Sequence, residues 1–255
     1  MNNKRKSKKK RKLIPLIIIA AVIISCAVYL SDYYRADAAA SKAMESDAVA
    51  EVEDTKNAVY FIPDEIKAGF IFYPGGKVQA EAYAPLMKSC AKEGILCIIE
   101  KMPFNLAVLR PNAADGAEEK FPEIESWYIG GHSLGGVMAA RYVTNHTEQY
   151  NGMILLASYS TSDLSNTGLN VLSVYGSEDG VLNMEKYAEN KKNLPNDLNE
   201  QLINGGCHAY FGSYGKQKGD NEPQITNEEQ VDITAEIIGE FIEYSNNLAL
   251  AIDEC

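Results

Sequence analysis

Residues 126–142 read SWYIGGHSLGGVMAARY, and this stretch decides the fold. A β-prone apolar run, Trp127-Tyr128-Ile129, meets Gly130 and Gly131. After His132, Ser133 and Leu134 comes a second glycine pair, Gly135 and Gly136, and then small and apolar residues at helical spacing: Val137, Met138, Ala140 and Tyr142. Gly131-x-Ser133-x-Gly135 is thus a G-x-S-x-G pattern set between a strand and a helix. A serine hydroxyl is a weak nucleophile unless held where a base can take its proton, and a tight, exposed turn gives that access. Glycines two residues before and two after let the helix pass close to the strand without a Cβ clash. The first turn of the helix offers free N–H groups and a positive dipole end to a developing oxyanion. Ser133 is on this reading the nucleophile, and the rest of the chain must supply a base and an acid.

Upstream and downstream, strands alternate with helices. VYFIP (59–63), GFIFYPGG (69–76) and ILCIIEK (95–101) read as strands, the last two as continuous apolar runs of the kind buried on both faces. A helical stripe over 78–93 separates them and stops at Gly94. A mixed segment follows, with a short helix expected within 112–120. The strand at 126–131 and the helix at 134–146 are followed by strands at 151–159, 169–177 and 199–205, a helix near 183–192 and a long terminal helix over 227–247. Such alternation predicts an α/β domain over 58–250, with a mainly parallel sheet of about six strands covered by helices on both faces.

Charge divides the chain. The formal net charge is −11, yet residues 1–12 carry eight Lys/Arg and no acid, leaving 16 basic against 35 acidic side chains over 13–255. A body that acidic is a poor partner for nucleic acid. Residues 13–30, LIPLIIIAAVIISCAVYL, are uncharged and long enough to cross a bilayer as a helix. With cations before it, the expected arrangement is a basic cytoplasmic tail (1–12), a single-pass signal anchor (13–30), an Ala-rich acidic linker (31–57) and a body outside the cytoplasm. Cleavage as a signal peptide and lipidation at Cys26, which ends a lipobox-like Ile23-Ile24-Ser25-Cys26, are alternatives that leave the body on the same side. Cys90, Cys207 and Cys255 are available for pairing in an oxidising compartment, whereas Cys97 reads as a buried thiol. With three histidines and no C-x-x-C, neither a metal nor a cofactor is expected.

In a doubly wound sheet, reactive groups gather at the carboxyl ends of the strands. VLSVYGSEDG puts Glu178 and Asp179 after one strand, and INGGCHAYFGSYG puts His208 in a Gly-rich loop after another. His146 falls at a helix end and His132 inside the turn, so His208 is the available base. The order Ser133, Asp179 or Glu178, His208 matches a nucleophile–acid–base triad.

On these residues the chain resembles the α/β-hydrolases, in the compact, capless branch grouped with dienelactone-hydrolase-like proteins. The resemblance covers 59–245 and is carried by YPGG (73–76), GGHSLGG (130–136), YGSEDG (175–180) and HAYFGSYGKQKGD (208–220). The last is similar to a stretch found in membrane-anchored bacterial members. The resemblance implies catalysis by Ser133, His208 and Asp179, with Glu178 second to Asp179 as the acid. Oxyanion donors would be the backbone N–H of Leu134 and one from the YPGG loop: Gly75 first, since Pro74 has no N–H, with Gly76 or Lys77 as alternatives. YPGG departs from the HGGG form of lipases, which leaves the loop donor open. Only about ten residues separate the strand near Tyr159 from the one near Asn170, too few for a lid, so an open site for small or accessible esters is expected. The implied activity is ester hydrolysis at the cell envelope. An acyltransferase using the same serine and a catalytically silent envelope-binding protein are the alternatives.

Overall fold

The computed structural model describes the backbone of residues 2–253 and the side chains of Pro15 and residues 18–248. Two compact units are present, 1–33 and 34–255. The first contains one helix, α1 (Asn2–Ser31), whose apolar side chains Ile18, Ile19, Val22, Ile23, Ile24 and Val28 are all exposed. The expected anchor over 13–30 begins at side chains outside the described residues. Among the described residues no helix is long and apolar enough to cross a membrane.

The second unit is a sheet with helices on both faces. Its strands are β1 (Glu51–Asp54), β2 (Ala58–Ile62), β3 (Ala68–Tyr73), β4 (Ile95–Glu100), β5 (Trp127–His132), β6 (Gly152–Leu156), β7 (Asn170–Gly176) and β8 (Asn199–Ile203). The order is β1-β2-β4-β3-β5-β6-β7-β8, with the β1–β2 and β2–β4 pairs antiparallel and the remaining pairs parallel. Alternate residues of the central strands enter two separate cores. Phe70 and Phe72 of β3 pack with Leu86, Met87, Ile238 and Phe241 of α3 (Ala84–Lys92) and the terminal helix (Asn227–Asp253). Ile71 and Tyr73 face Met138, Ala139 and Tyr142 of α4 (Leu134–Val143). All six β3 residues are buried, which is why the strand reads as an unbroken apolar run; each large side chain so buried contributes about 1.5–3 kcal/mol.

Three expectations change. The sheet has eight described strands rather than six, and residues 34–57 are built into the domain rather than forming a linker. Asp37 caps the short helix α2 (Ala38–Ala43), Ala40 and Ala50 are buried, and Glu51–Asp54 pair with β2. Isolated alanines and a four-residue edge strand reading EVED carry almost no periodic signal, although neighbours bury the alanines and β2 pairs with the strand. Likewise the helix expected within 112–120 is reduced to turns and one 3-10 turn at Glu118–Lys120. Cys90, Cys97 and Cys207 are buried free thiols; Cys255 lies outside the described residues.

The chain crosses from β4 past β3 to β5, so the direction of winding changes between β3 and β5. Tyr73 of β3 pairs with Gly131 of β5, which sets the YPGG loop beside the serine turn at the carboxyl edge. At that edge of β4, Glu100 is 3% exposed, and burial outweighs its 3.1 Å pairing with Arg110 and raises its pKa to about 7. A carboxyl whose native pKa is raised binds protons more tightly folded than unfolded, so stability falls as pH rises from the unfolded value through the folded one. Wild type should lose about 3 kcal/mol of stability between about pH 4.5 and 7 from this group. Glu100→Gln should flatten that slope, because Arg110 keeps bonds to the carbonyls of Asn57, Lys101 and Ala113; urea titrations at pH 5 and 7.5 check it.

Candidate active site

Ser133 sits between β5 and α4 at φ 52, ψ −123, outside the regions an L-residue ordinarily occupies. Three constraints hold it there. Its N–H donates to the Leu156 carbonyl at 2.9 Å, its own carbonyl accepts from Ser158 Oγ at 2.7 Å, and α4 lies directly on β3. A Cβ on Gly135 would collide with the carbonyl oxygens of Tyr73 and Pro74, and one on Gly131 with the Tyr73 carbonyl and Gly135. The glycines are therefore needed for helix-on-strand contact, as the sequence pattern implied.

Asp179 follows β7 by three residues and His208 follows β8 by five. The structure brings these two together: His208 Nδ1–H donates to Asp179 Oδ2 at 2.9 Å, with both side chains 1% exposed. Asp179 Oδ1 accepts from the N–H groups of Val181 (2.9 Å) and Leu182 (2.7 Å), so the carboxylate is held at both oxygens. Glu178 turns elsewhere, accepting from Ser177 Oγ and Gln224 Nε2. With the proton on Nδ1, Nε2 carries the lone pair; that atom is buried with no hydrogen-bond partner among the described residues. Ser133 and His208 line one cavity of about 230 Å³ with Leu134, Val137, Tyr159 and Leu182. The serine–histidine hydrogen bond itself is not formed in this state, a common looseness before substrate binds.

Of the loop donors, Gly75 N–H is engaged by Tyr83 Oη at 3.0 Å and Lys77 N–H by the Asn105 carbonyl at 2.7 Å. Among the described residues the N–H groups of Gly76 and Leu134 have no partner. Those two residues are adjacent: a Cβ on Gly76 would come 2.9 Å from Leu134 Cδ2. The preference for Gly75 therefore passes to Gly76.

Tyr83 was legible only as a core position of a helical stripe. Its hydroxyl accepts from Gly75 N–H and lies 2.8 Å from His132 Nδ1. His132 packs on His208 with ring centroids 4.5 Å apart, and burial and that neighbour hold its pKa well below the usual value. Kept neutral, His132 offers no like charge to an imidazolium at His208. His146 stacks on Tyr142 at the far end of α4, away from the cavity. Among the described residues no three His, Cys, Asp or Glu side chains gather as metal ligands.

Between β6 and β7 the chain runs through 157–169 without a helix or strand, so no cap is inserted there. Known proteins share this architecture. One structure is the dienelactone hydrolase of Anabaena variabilis, 10% identical, covering 76% of this chain and 96% of that one at a TM-score of 0.55. Another is Est1E of Butyrivibrio proteoclasticus, solved with ferulic acid, 15% identical over 76% and 100% of the chains at 0.56. A third is a monoglyceride lipase of Saccharomyces cerevisiae, solved with a substrate analogue, 10% identical over 79% and 97% at 0.56. At these identities the likeness is one of fold. An uncharacterized protein of Corynebacterium glutamicum is 30% identical over 91 residues, 36% of this chain; the aligned stretch spans about a fifth of that relative's length, 20%. The alpha/beta hydrolase family model matches residues 69–232, most of the sheet together with Ser133, Asp179 and His208, and the chain belongs to that family.

Proposed function

We propose that the protein is a serine hydrolase of small carboxylic esters, in the compact dienelactone-hydrolase-like branch, and acts at the cell envelope. One observation carries the reading: a strained Ser133 shares a cavity with His208, whose Nδ1–H is bound by Asp179 and whose Nε2 is free. Ser133 Oγ attacks the ester carbonyl carbon while His208 Nε2 takes its proton. Asp179 holds the tautomer and stabilises the imidazolium. The N–H groups of Leu134 and Gly76 receive the oxyanion. His208 then returns the proton to the departing alcohol, and water, deprotonated by the same nitrogen, releases the acid. The small cavity and the absence of a cap favour short acyl groups over long chains. For localisation, the eight cations of 1–12 and the exposed apolar side chains of α1 support a membrane anchor with the domain outside.

The full-length chain in detergent, exposed to a fluorophosphonate probe, should label at Ser133 and release product from p-nitrophenyl acetate. Ser133→Ala and His208→Ala should abolish labelling, and an added alcohol acceptor should leave the free acid as the main product. A folded wild type that does not label would sink the proposal.

A further inference from the structure

The stretch HAYFGSYGKQKGD begins with His208, and the reaction above uses nothing else in it. Its last residue, Asp220, reaches back to both turns of the site. Asp220 Oδ1 accepts from Gly180 N–H at 3.0 Å, His208 N–H at 3.2 Å and Asn221 N–H at 3.1 Å, and Oδ2 accepts from Ala209 N–H at 2.8 Å. Gly180 immediately follows Asp179, and Ala209 immediately follows His208. One carboxylate therefore ties the acid's turn to the base's turn at the residues next to the reacting pair. No Lys or Arg pairs with it among the described residues, so its charge is spent on these N–H groups. We infer that Asp220 is a positioning residue that sets the separation of Asp179 and His208. The inference rests on the serine-hydrolase reading for its kinetic consequence and on the hydrogen bonds alone for its structural one.

Three further features fit the clamp. A Cβ on Gly180 would come 2.6 Å from the Gly219 carbonyl and 2.9 Å from the Asn221 nitrogen, so only glycine lets the acid's turn approach Asp220. Gly219, at φ +92, makes the turn that presents Asp220. On the opposite side of the base's turn, buried Gln230 accepts from Cys207 N–H at 2.9 Å and donates to the Cys207 carbonyl at 2.8 Å. The segment 207–209 is thus held from both sides, by Gln230 on the core side and by Asp220 toward the Asp179 turn. Hydrogen bonds to a carboxylate are among the stronger ones in a protein, and a shift of about 1 Å in a reacting group can cost about 100-fold in rate.

The test compares wild type, Asp220→Ala, Asp220→Asn and, as a control on the exposed Lys216–Glu222 pair of the same loop, Glu222→Gln. Asp220→Ala should lower kcat for p-nitrophenyl acetate about 100-fold with little change in KM, since the cavity walls are untouched. Asp220→Asn keeps an acceptor for one side only and should lie between the two, and Glu222→Gln should behave as wild type. Wild-type kcat in a folded Asp220→Ala, or an equal fall in all three variants, would overturn the inference; if Asp220→Ala does not fold, Asp220→Asn decides by the same criterion. Amide exchange separates this outcome from failure of the hydrolase reading. Should wild type show no serine reactivity, faster exchange at Gly180, His208 and Ala209 in Asp220→Asn still supports the clamp, and unchanged exchange there refutes it.

Discussion

Asp179→Asn is expected to lower ester hydrolysis by about three to four orders of magnitude while leaving the protein folded. The size of the effect follows from which atoms hold the carboxylate. Oδ1 accepts two N–H groups, from Val181 and Leu182, so an amide placed there must turn its oxygen to them. Its NH2 then faces His208 Nδ1, where the carboxylate oxygen Oδ2 now accepts. To avoid two donors meeting, the imidazole must carry its proton on Nε2 and offer Nδ1 as the acceptor. The nitrogen facing the Ser133 cavity would become a donor, and the serine would lose its base. Fluorophosphonate labelling and p-nitrophenyl acetate turnover report the loss, with circular dichroism as the folding check. Activity within about tenfold of wild type would mean that the backbone N–H groups do not fix the amide, or that Asp179 does not orient the base.

Gly135→Ala is expected to destabilise the domain by at least about 4 kcal/mol, enough to abolish folding in a protein of ordinary stability. Helix propensity alone argues the reverse, since alanine is favoured over glycine by about 1 kcal/mol inside a helix. Here the added methyl meets the carbonyl oxygens of Tyr73 and Pro74 and the Tyr73 carbonyl carbon. These are backbone atoms at the end of β3, where Tyr73 pairs with Gly131, and they cannot yield without separating β3 from α4. Soluble yield and the urea midpoint measure the effect. A midpoint at or above that of wild type would show that the helix slides and that close contact is not required.

Much of the fold was legible because β3, β4 and β5 are buried on both faces, so apolar runs such as GFIFY and ILCII have no other use. The strand–glycine–serine–glycine–helix order was legible for a similar reason: nothing but glycine fits where α4 crosses β3. The edge was not legible. Ala40, Ala50 and the EVED strand are buried or paired only because neighbours arrive from elsewhere in the chain, and their own pattern is too short and too polar to signal it.

Within the site, sequence order supplied Ser133, a choice of Asp179 or Glu178, and His208, since each follows a strand whose carboxyl end shares one edge. Choosing between neighbouring residues required tertiary structure. Asp179 rather than Glu178 meets His208 because the turn's own N–H groups aim it inward. Gly76 rather than Gly75 keeps a free N–H because Tyr83, from the helical segment after β3, engages the other. Asp220 reaches Gly180 across 40 residues of chain and so joins the two turns, a relation with no period and no spacing rule. The sequence by itself determined which elements exist and which backbone positions exclude a side chain, because burial and steric contact repeat along a strand or helix. Only the tertiary structure decided which donor meets which acceptor, because a hydrogen bond depends on where two separate segments come to rest.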